Sequence, residues 1–189
     1  MLLHPPLVLA SQSPRRRQLL TEAGFRFTIR TYDVPEDFPA DMPVEEVPVY
    51  LAQKKARAGF ADLTGDEVLL TADSVVILDG MIFNKPANHR EAVQMLSALS
   101  DRTHTVITGV CLMSREKEKT FAGVSKVTFA PLSDREIDFY IREYQPFDKA
   151  GSYGVQDWIG LCKVVKIEGT YANVMGLPVD LVYTALQEF

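Results

Sequence analysis

The sequence predicts an α/β (or α+β) chain built around a mixed β-sheet, and three observations carry that reading. Short apolar strand-like runs alternate with capped helical segments along the chain. Two long strand-like runs, His104 to Met113 and Phe121 to Ala130, are joined by the charged turn Ser114-Arg115-Glu116-Lys117, which predicts adjacent antiparallel strands mid-chain. The chain has 189 residues, 47% hydrophobic and 24% charged, enough for one ordinary domain or two small lobes folded together. The same figures exclude disorder, and 11 Gly with 11 Pro exclude collagen-like or low-complexity composition. No repeat or Ser/Gly linker marks a boundary, so residues 1–189 read as a single domain.

Each element has its own signal. Leu7-Val8-Leu9-Ala10 reads as a short buried strand. Ser13 and Pro14 supply an N-cap and a first-turn proline for a helix reaching Ala23, with Gly24 as its stop. Phe25, Phe27 and Ile29 alternate as a strand face. Asp33 to Pro43 is acidic and Pro-rich, hence a loop. A helix follows over Val44 to Phe60, with Val47, Leu51 and Ala58 on one side; Pro48 suits its first turn and argues for a later start. Val68 to Leu78 is an apolar run broken by Asp73, and Asp79-Gly80 is a hairpin turn signal. Asn88 with Glu91 caps a helix through Leu99, and Ser133 with Glu136 forms a capping box for a helix to about Glu143. The last third starts irregularly at Gly151, gives a strand over Val164 to Ile167, and ends in a helix after Leu177-Pro178.

Composition also narrows the partners. A net charge of −5, from 25 acids against 20 bases, argues against a duplex-binding surface, which needs excess Lys and Arg. A small anion needs only a local basic pocket, and the bases do cluster, in Arg15-Arg16-Arg17 and in Lys54-Lys55-Ala56-Arg57. No apolar run approaches the ~18 residues of a membrane span. The first residues, Met1 to Pro6, have neither a basic leader nor a secretory apolar stretch, which predicts a cytoplasmic protein. Cys111 and Cys162 are far apart and form no CxxC; with three scattered His they make a zinc site improbable and read as buried reduced thiols.

Four stretches could carry chemistry. In Leu9-Ala10-Ser11-Gln12-Ser13-Pro14-Arg15-Arg16, a strand leads through a polar turn into a helix start loaded with arginine. Unpaired N–H groups, hydroxyls and guanidinium groups together make a phosphate cradle; alone, the stretch also fits a capped helix with exposed Arg. Asp73 sits inside an apolar run and must pair, meet a cation, or bond backbone N–H groups, so it is a metal-ligand or general-base candidate. Lys85 follows the Asp79-Gly80 turn, which could return it towards Asp73; Lys55 sits mid-helix and Glu36 in the acidic loop, and each alone fits a solvated charge. The loop Asp148-Lys149-Ala150-Gly151-Ser152-Tyr153-Gly154-Val155-Gln156 lets a ligand approach the backbone, and the Gln156 amide both donates and accepts, as base-edge reading requires. Its glycine spacing matches neither a P-loop nor a dinucleotide fingerprint.

Taken in order, the motifs change the weights. Ser11-Gln12-Ser13-Pro14-Arg15-Arg16 is followed by Leu51-Ala52-x-x-Lys55-Ala56, by Ala72-Asp73-Ser74-Val75-Val76 and by Lys85-Pro86. Then come Leu99-Ser100-x-Arg102-Thr103-His104-x-Val106-x-Thr108-Gly109, the Asp148 to Gln156 loop, and Val174-Met175-Gly176-Leu177-Pro178. This series resembles the Maf family of nucleoside triphosphate pyrophosphatases from Leu7 to Leu186. The Ala150-Gly151-x-Tyr153-Gly154-x-Gln156 stretch looks like the branch acting on dTTP and UTP rather than the one acting on 7-methyl-GTP.

The resemblance implies a Maf/ITPase-like fold, elongated and two-lobed around a mixed sheet with a central cleft, and often dimeric. It implies hydrolysis of the α–β phosphoanhydride with a divalent metal, Mg²⁺ or Mn²⁺, on small-molecule nucleoside triphosphates. Asp73 matches the family's proton acceptor; Arg15, Ser74 and Gln156 match positions tied to substrate choice. Ser11, Arg16, Glu36, Lys55 and Lys85 match polar residues of the family cleft, and Ser13 joins the phosphate-binding set. Asp is a weak base at neutral pH, so Asp73 is also a metal ligand candidate, with Glu36 as the second. The chain departs from the family pattern at Asp101 (usually Gly), at Ser74 (commonly Thr), and at Asp157-Trp158, which replaces a Gly-containing stretch beside the expected base pocket. The alternative is a nucleotide-binding regulator of septum formation, or a pyrophosphatase of different or broad base preference.

Overall fold

The structure is a computed structural model and describes residues 5–189; the reading of the leader over Met1 to His4 lies outside the described residues. The elements, in chain order, are β1 (Leu7–Leu9), α1 (Pro14–Glu22), β2 (Phe27–Ile29), α2 (Val47–Gly59), β3 (Val68–Leu78), β4 (Met81–Phe83) and α3 (His89–Leu99). They continue with β5 (Thr103–Met113), β6 (Glu118–Phe129), α4 (Asp134–Tyr144), α5 (Trp158–Cys162), β7 (Val164–Glu168), α6 (Tyr171–Met175) and α7 (Val179–Leu186). Seven strands form one mixed sheet in the order β2-β1-β3-β5-β6-β7, with β4 paired to β3. β1 runs parallel to both β2 and β3, whereas β4 on β3 and β7 on β6 are antiparallel. The expected α/β architecture around a mixed sheet is therefore present. Among the described residues, no helix is long and apolar enough to cross a membrane.

The chain forms two compact units. The first comprises Met1–Asp73 (described from Pro5), Thr108–Gly123 and Gly176–Phe189; the second comprises Ser74–Ile107 and Val124–Met175. The core of the first unit gathers Val8, Ala10, Ala52, Ala56, Leu63, Leu69, Cys111 and Met113, with Tyr32 packed against them. Helix α2 turns Val47, Leu51, Ala52, Ala56 and Gly59 inward. The inward stripe thus runs through Ala56 and Gly59, and Ala58, expected on it, is exposed. Small residues let the helix lie close to the sheet. A Cβ on Gly109 would fall 2.3 Å from the Pro48 carbonyl carbon and the Val49 nitrogen, so only hydrogen fits there.

In the second unit, His104, Phe129 and Tyr153 pack edge-to-face, with ring centroids 4.9 to 5.3 Å apart. Fully buried Leu96, Leu99, Ile137, Tyr140, Ile141 and Ile159 fill the space under α3, α4 and α5. Burial of each such Leu or Ile contributes about 1.5–3 kcal/mol.

The helix caps follow the sequence. Asn88 Oδ1 accepts from the Glu91 N–H at 3.0 Å, and both halves of the Ser133–Glu136 capping box are made. Pro48 occupies the first turn of α2, as its ring requires. Three expectations need correction. Ser13 has the extended backbone of an N-cap, but its side chain makes no cap bond. Strand β2 shows no buried alternating face: Ile29 is exposed, and Phe25, the buried aromatic, precedes the strand. Cys111 is buried, with its thiol pushed up to about 12 by desolvation, but Cys162 is exposed, because it ends the short surface helix α5.

Candidate active site

In the first unit, five of the expected residues converge. After β1 the chain is fixed to β3 by the Ala10 N–H donating to the Leu70 carbonyl at 2.9 Å. The turn that follows is closed by Ser11 Oγ, which accepts from the Ser13 N–H at 3.2 Å, and Pro14 then opens α1 where no N–H is needed. One turn of helix brings Arg16 back towards the turn, with Nη1 at 3.4 Å from Ser11 Oγ. Its Nε donates to the Gly176 carbonyl at 2.8 Å. Burial lowers the Arg16 pKa from its usual value; Asp73 and Glu36 act in the opposite sense, Arg15 in the same sense. A guanidinium remains charged throughout.

Helix α2 supplies the second cation. Lys55 Nζ donates to Asp73 Oδ1 at 2.6 Å and to Glu36 Oε1 at 2.8 Å. The Asp73 side chain is 11% exposed and that of Lys55 19%, against 48% for Glu36. The apolar run of β3 therefore carries its one carboxylate because an ammonium meets it, which resolves the choice left open by the sequence. Removing two charges from water offsets much of their attraction, so such a pair is a poor source of stability. Its value lies in fixing a carboxylate beside Arg16.

The other expected residues lie in the second unit, apart from Ser13, just before α1, and Arg15, which follows Pro14 on α1. Ser74 is its first residue, next in chain to Asp73. The β4 hairpin sets Val76 opposite Phe83, so the chain turns back along β3, and Lys85 follows two residues later, exposed.

Gln156 sits in a tight turn closed by the Asp157 N–H donating to the Gly154 carbonyl at 3.0 Å. One hydroxyl holds both ends of that turn: Tyr140 Oη donates to Asp157 Oδ2 at 2.7 Å and accepts from the Gly154 N–H at 3.0 Å. A Cβ on Gly154 would fall 2.6 Å from Gln156 Nε2, so a larger residue there would displace the amide. Gln156 Oε1 is buried without a hydrogen-bond partner among the described residues, an acceptor open to a ligand's N–H. The Asp157 departure thus has a structural role as the partner of Tyr140.

Two contributors escaped the sequence reading. Gly176 lay inside a quoted motif, but nothing in its neighbours announced a carbonyl aimed at Arg16. Tyr140 lay within the helix capped by Ser133, with no local signal that its hydroxyl would hold a turn. Among the described residues, no group of three or more His, Cys, Asp or Glu is arranged to hold a metal; the available carboxylates are the pair Asp73 and Glu36, both on Lys55.

With this geometry in hand, comparison with known proteins is specific. Residues 6–189 match the family described as Maf-like protein. A relative from Porphyromonas gingivalis, named dTTP/UTP pyrophosphatase, is 50% identical over 186 residues, 97% of this chain and 94% of its own. One of the same name from Phocaeicola vulgatus is 49% identical over 183 residues, 96% of this chain and 95% of its own. The solved structure of the Staphylococcus aureus Ham1 protein superposes with a TM-score of 0.56 at 12% identity, covering 97% of this chain and 98% of that one. That likeness places the chain in a class of mixed-sheet α/β folds. By sequence, it belongs to the Maf family.

Proposed function

We propose that this chain hydrolyses dTTP and UTP to the nucleoside monophosphate and pyrophosphate, and so clears nucleotide pools of unwanted or modified members. The observation that carries the reading is the Lys55 ammonium bridging Asp73 and Glu36, with Arg16 in electrostatic reach of both carboxylates. Relatives near 50% identity that bear the name dTTP/UTP pyrophosphatase support the choice of substrate.

The chemistry follows from the donor set. Arg16 and Lys55 are balanced by Asp73 and Glu36, whereas a triphosphate brings about four negative charges. Ser11, Ser13 and Lys85 add donors for phosphate oxygens, but the site still favours an added cation. Mg²⁺ or Mn²⁺ suits it, since such ions are held by one or two carboxylates together with substrate phosphates. When bound, the metal neutralises charge developing on the phosphate oxygens and acidifies water. Asp73 and Glu36 are its proposed ligands.

In the hydrolytic step, a water oxygen bonds to the α-phosphorus and the bond from that phosphorus to the α–β bridging oxygen breaks. The electron pair leaves with pyrophosphate. The water proton goes to the Asp73 oxygen that Lys55 does not hold, while Lys55 and Arg16 stabilise the phosphate charge. Gln156, Ser74 and Arg15 are assigned to base choice, with the Gln156 acceptor taking the N3–H of thymine or uracil. The enzyme is taken to act in the cytoplasm, and the family resemblance adds a homodimer, which sedimentation velocity reads directly.

Pyrophosphate release tests the reading, using purified protein, Mg²⁺ and equal concentrations of dTTP, UTP, CTP and GTP. Turnover of dTTP and UTP above the other two is expected. Binding of nucleotides without release would instead identify a regulator.

A further inference from the structure

The contact of Lys55 with Asp73 depends on where α2 sits along β3, and beside Lys55 the helix meets the strand through small residues. Ala52 and Ala56 face the sheet fully buried, and Gly59 adds no side chain at all. Small residues permit close approach, but they offer no knobs to resist a slide of the helix along the strand. A directional bond there adds to the register what small apolar contacts leave loose.

Thr71 provides it. Its side chain is fully buried, and Oγ1 donates to the Ala52 carbonyl at 2.7 Å, with the Cys111 carbonyl farther away at 3.4 Å. Thr71 and Asp73 are two apart on a strand, so they project from the same face. Ala52 and Lys55 are three apart on a helix, so they too share a face. Two parallel rungs therefore join β3 to α2, Thr71 to Ala52 and Asp73 to Lys55. The first is made by a buried hydroxyl with no charge to lose; the second is the catalytic pair.

We propose that Thr71 is a positioning residue: its hydroxyl sets the register of α2 on β3 and thereby holds Lys55 against Asp73. The inference rests on the pyrophosphatase reading of that pair, and it adds a residue that the family resemblance leaves without a role.

The test compares Thr71→Val, which keeps the shape and loses the hydroxyl, with Thr71→Ser, which keeps the hydroxyl. Thr71→Val should fold and lose at least ~10-fold in kcat for dTTP, more than KM rises, because small displacements of a catalytic group are costly. Thr71→Ser should stay within ~3-fold of the parent kcat on the same argument. In a Lys55→Ala background, adding Thr71→Val should cost less than ~2-fold, since a residue acting through Lys55 has nothing left to position. Losses that multiply in the double variant, an unchanged kcat in Thr71→Val, or a Thr71→Val protein that does not fold would each overturn the proposal. A readout independent of turnover is the Lys55 ammonium resonance by ¹⁵N NMR. It should move towards that of a free lysine in Thr71→Val and return in Thr71→Ser, and no movement would overturn the proposal. If the parent protein released no pyrophosphate from any triphosphate, the functional reading would fail while the NMR comparison still decided the register.

Discussion

His104 Nε2 lies 2.7 Å from Tyr153 Oη, and both side chains are buried. The other ring nitrogen, Nδ1, has no partner among the described residues. Desolvation depresses the His104 pKa to about 4, and it raises that of Tyr153, so a neutral imidazole faces a neutral phenol.

The first prediction follows from that depression. An unfolded chain takes up the His104 proton near pH 6.5, whereas the folded chain resists until about pH 4. Stability is therefore full above pH 6.5 and falls as pH drops towards 4, by about 3 kcal/mol in all. Glu67 and Glu136, each held at about 2 by a cation (Arg30 and Lys163), work in a lower window. Their stabilisation is present above the ordinary glutamate pKa of 4.5 and is lost as pH falls from there through about 2. Urea unfolding at pH 7, 6 and 5 should show the loss in the parent protein and a flatter profile in His104→Gln. Equal slopes in the two proteins would show that His104 does not govern this range.

Asp73→Asn should lower turnover of dTTP by at least ~100-fold with the fold retained, since shape is kept and only charge is lost. Circular dichroism checks the fold, and pyrophosphate release checks the rate. Near-parent activity would remove Asp73 from the mechanism, whereas recovery at high Mn²⁺ would assign it chiefly to metal binding.

Base choice has its own variant. Gln156→Glu keeps an acceptor and loses the amide donor, so dTTP hydrolysis should fall while the Tyr140 clamp on Gly154 and Asp157 is untouched. A site built to bond one base edge penalises another by leaving buried groups unpaired. Equal kcat/KM for dTTP and CTP in the parent protein would refute base-edge reading even with pyrophosphatase activity confirmed.

Gly109→Ala should destabilise by about 3 kcal/mol, the upper end for overpacking, because the obstacle is Pro48 backbone rather than a movable side chain. The midpoint of urea unfolding measures it. A midpoint unchanged from the parent would mean that α2 can back away from β5 at little cost.

How much of this was legible in the sequence depended on whether a feature is local. The strand-turn-helix from Leu7 to Glu22, the start of α2 later than Val44 and the two capped helices were readable, because each is specified by neighbours within a turn or two. Helices α5 and α6 were missed because five residues are too few to show a helical period. Asp73 stood out by its apolar surroundings, but its partner did not, since Lys55 looks like any helical lysine until α2 is laid on β3. Ala58 and Cys162 were misplaced for the same reason: helix phase and surface position are settled by tertiary packing.

Arg16 and the carbonyl of Gly176 are 160 residues apart in the chain. Synthesis at 5–20 residues per second puts roughly ten to thirty seconds between them. For the later part of that interval, once Lys55 and Asp73 have been added, the nascent chain carries them without the carbonyl that accepts from Arg16 Nε. The Gly176 end of that contact is made only when translation is nearly over, so the surroundings of Arg16 are completed by some of the last residues added. A chain cut short before Gly176 would keep Arg16, Lys55 and Asp73 but lack the carbonyl that accepts from Arg16 Nε.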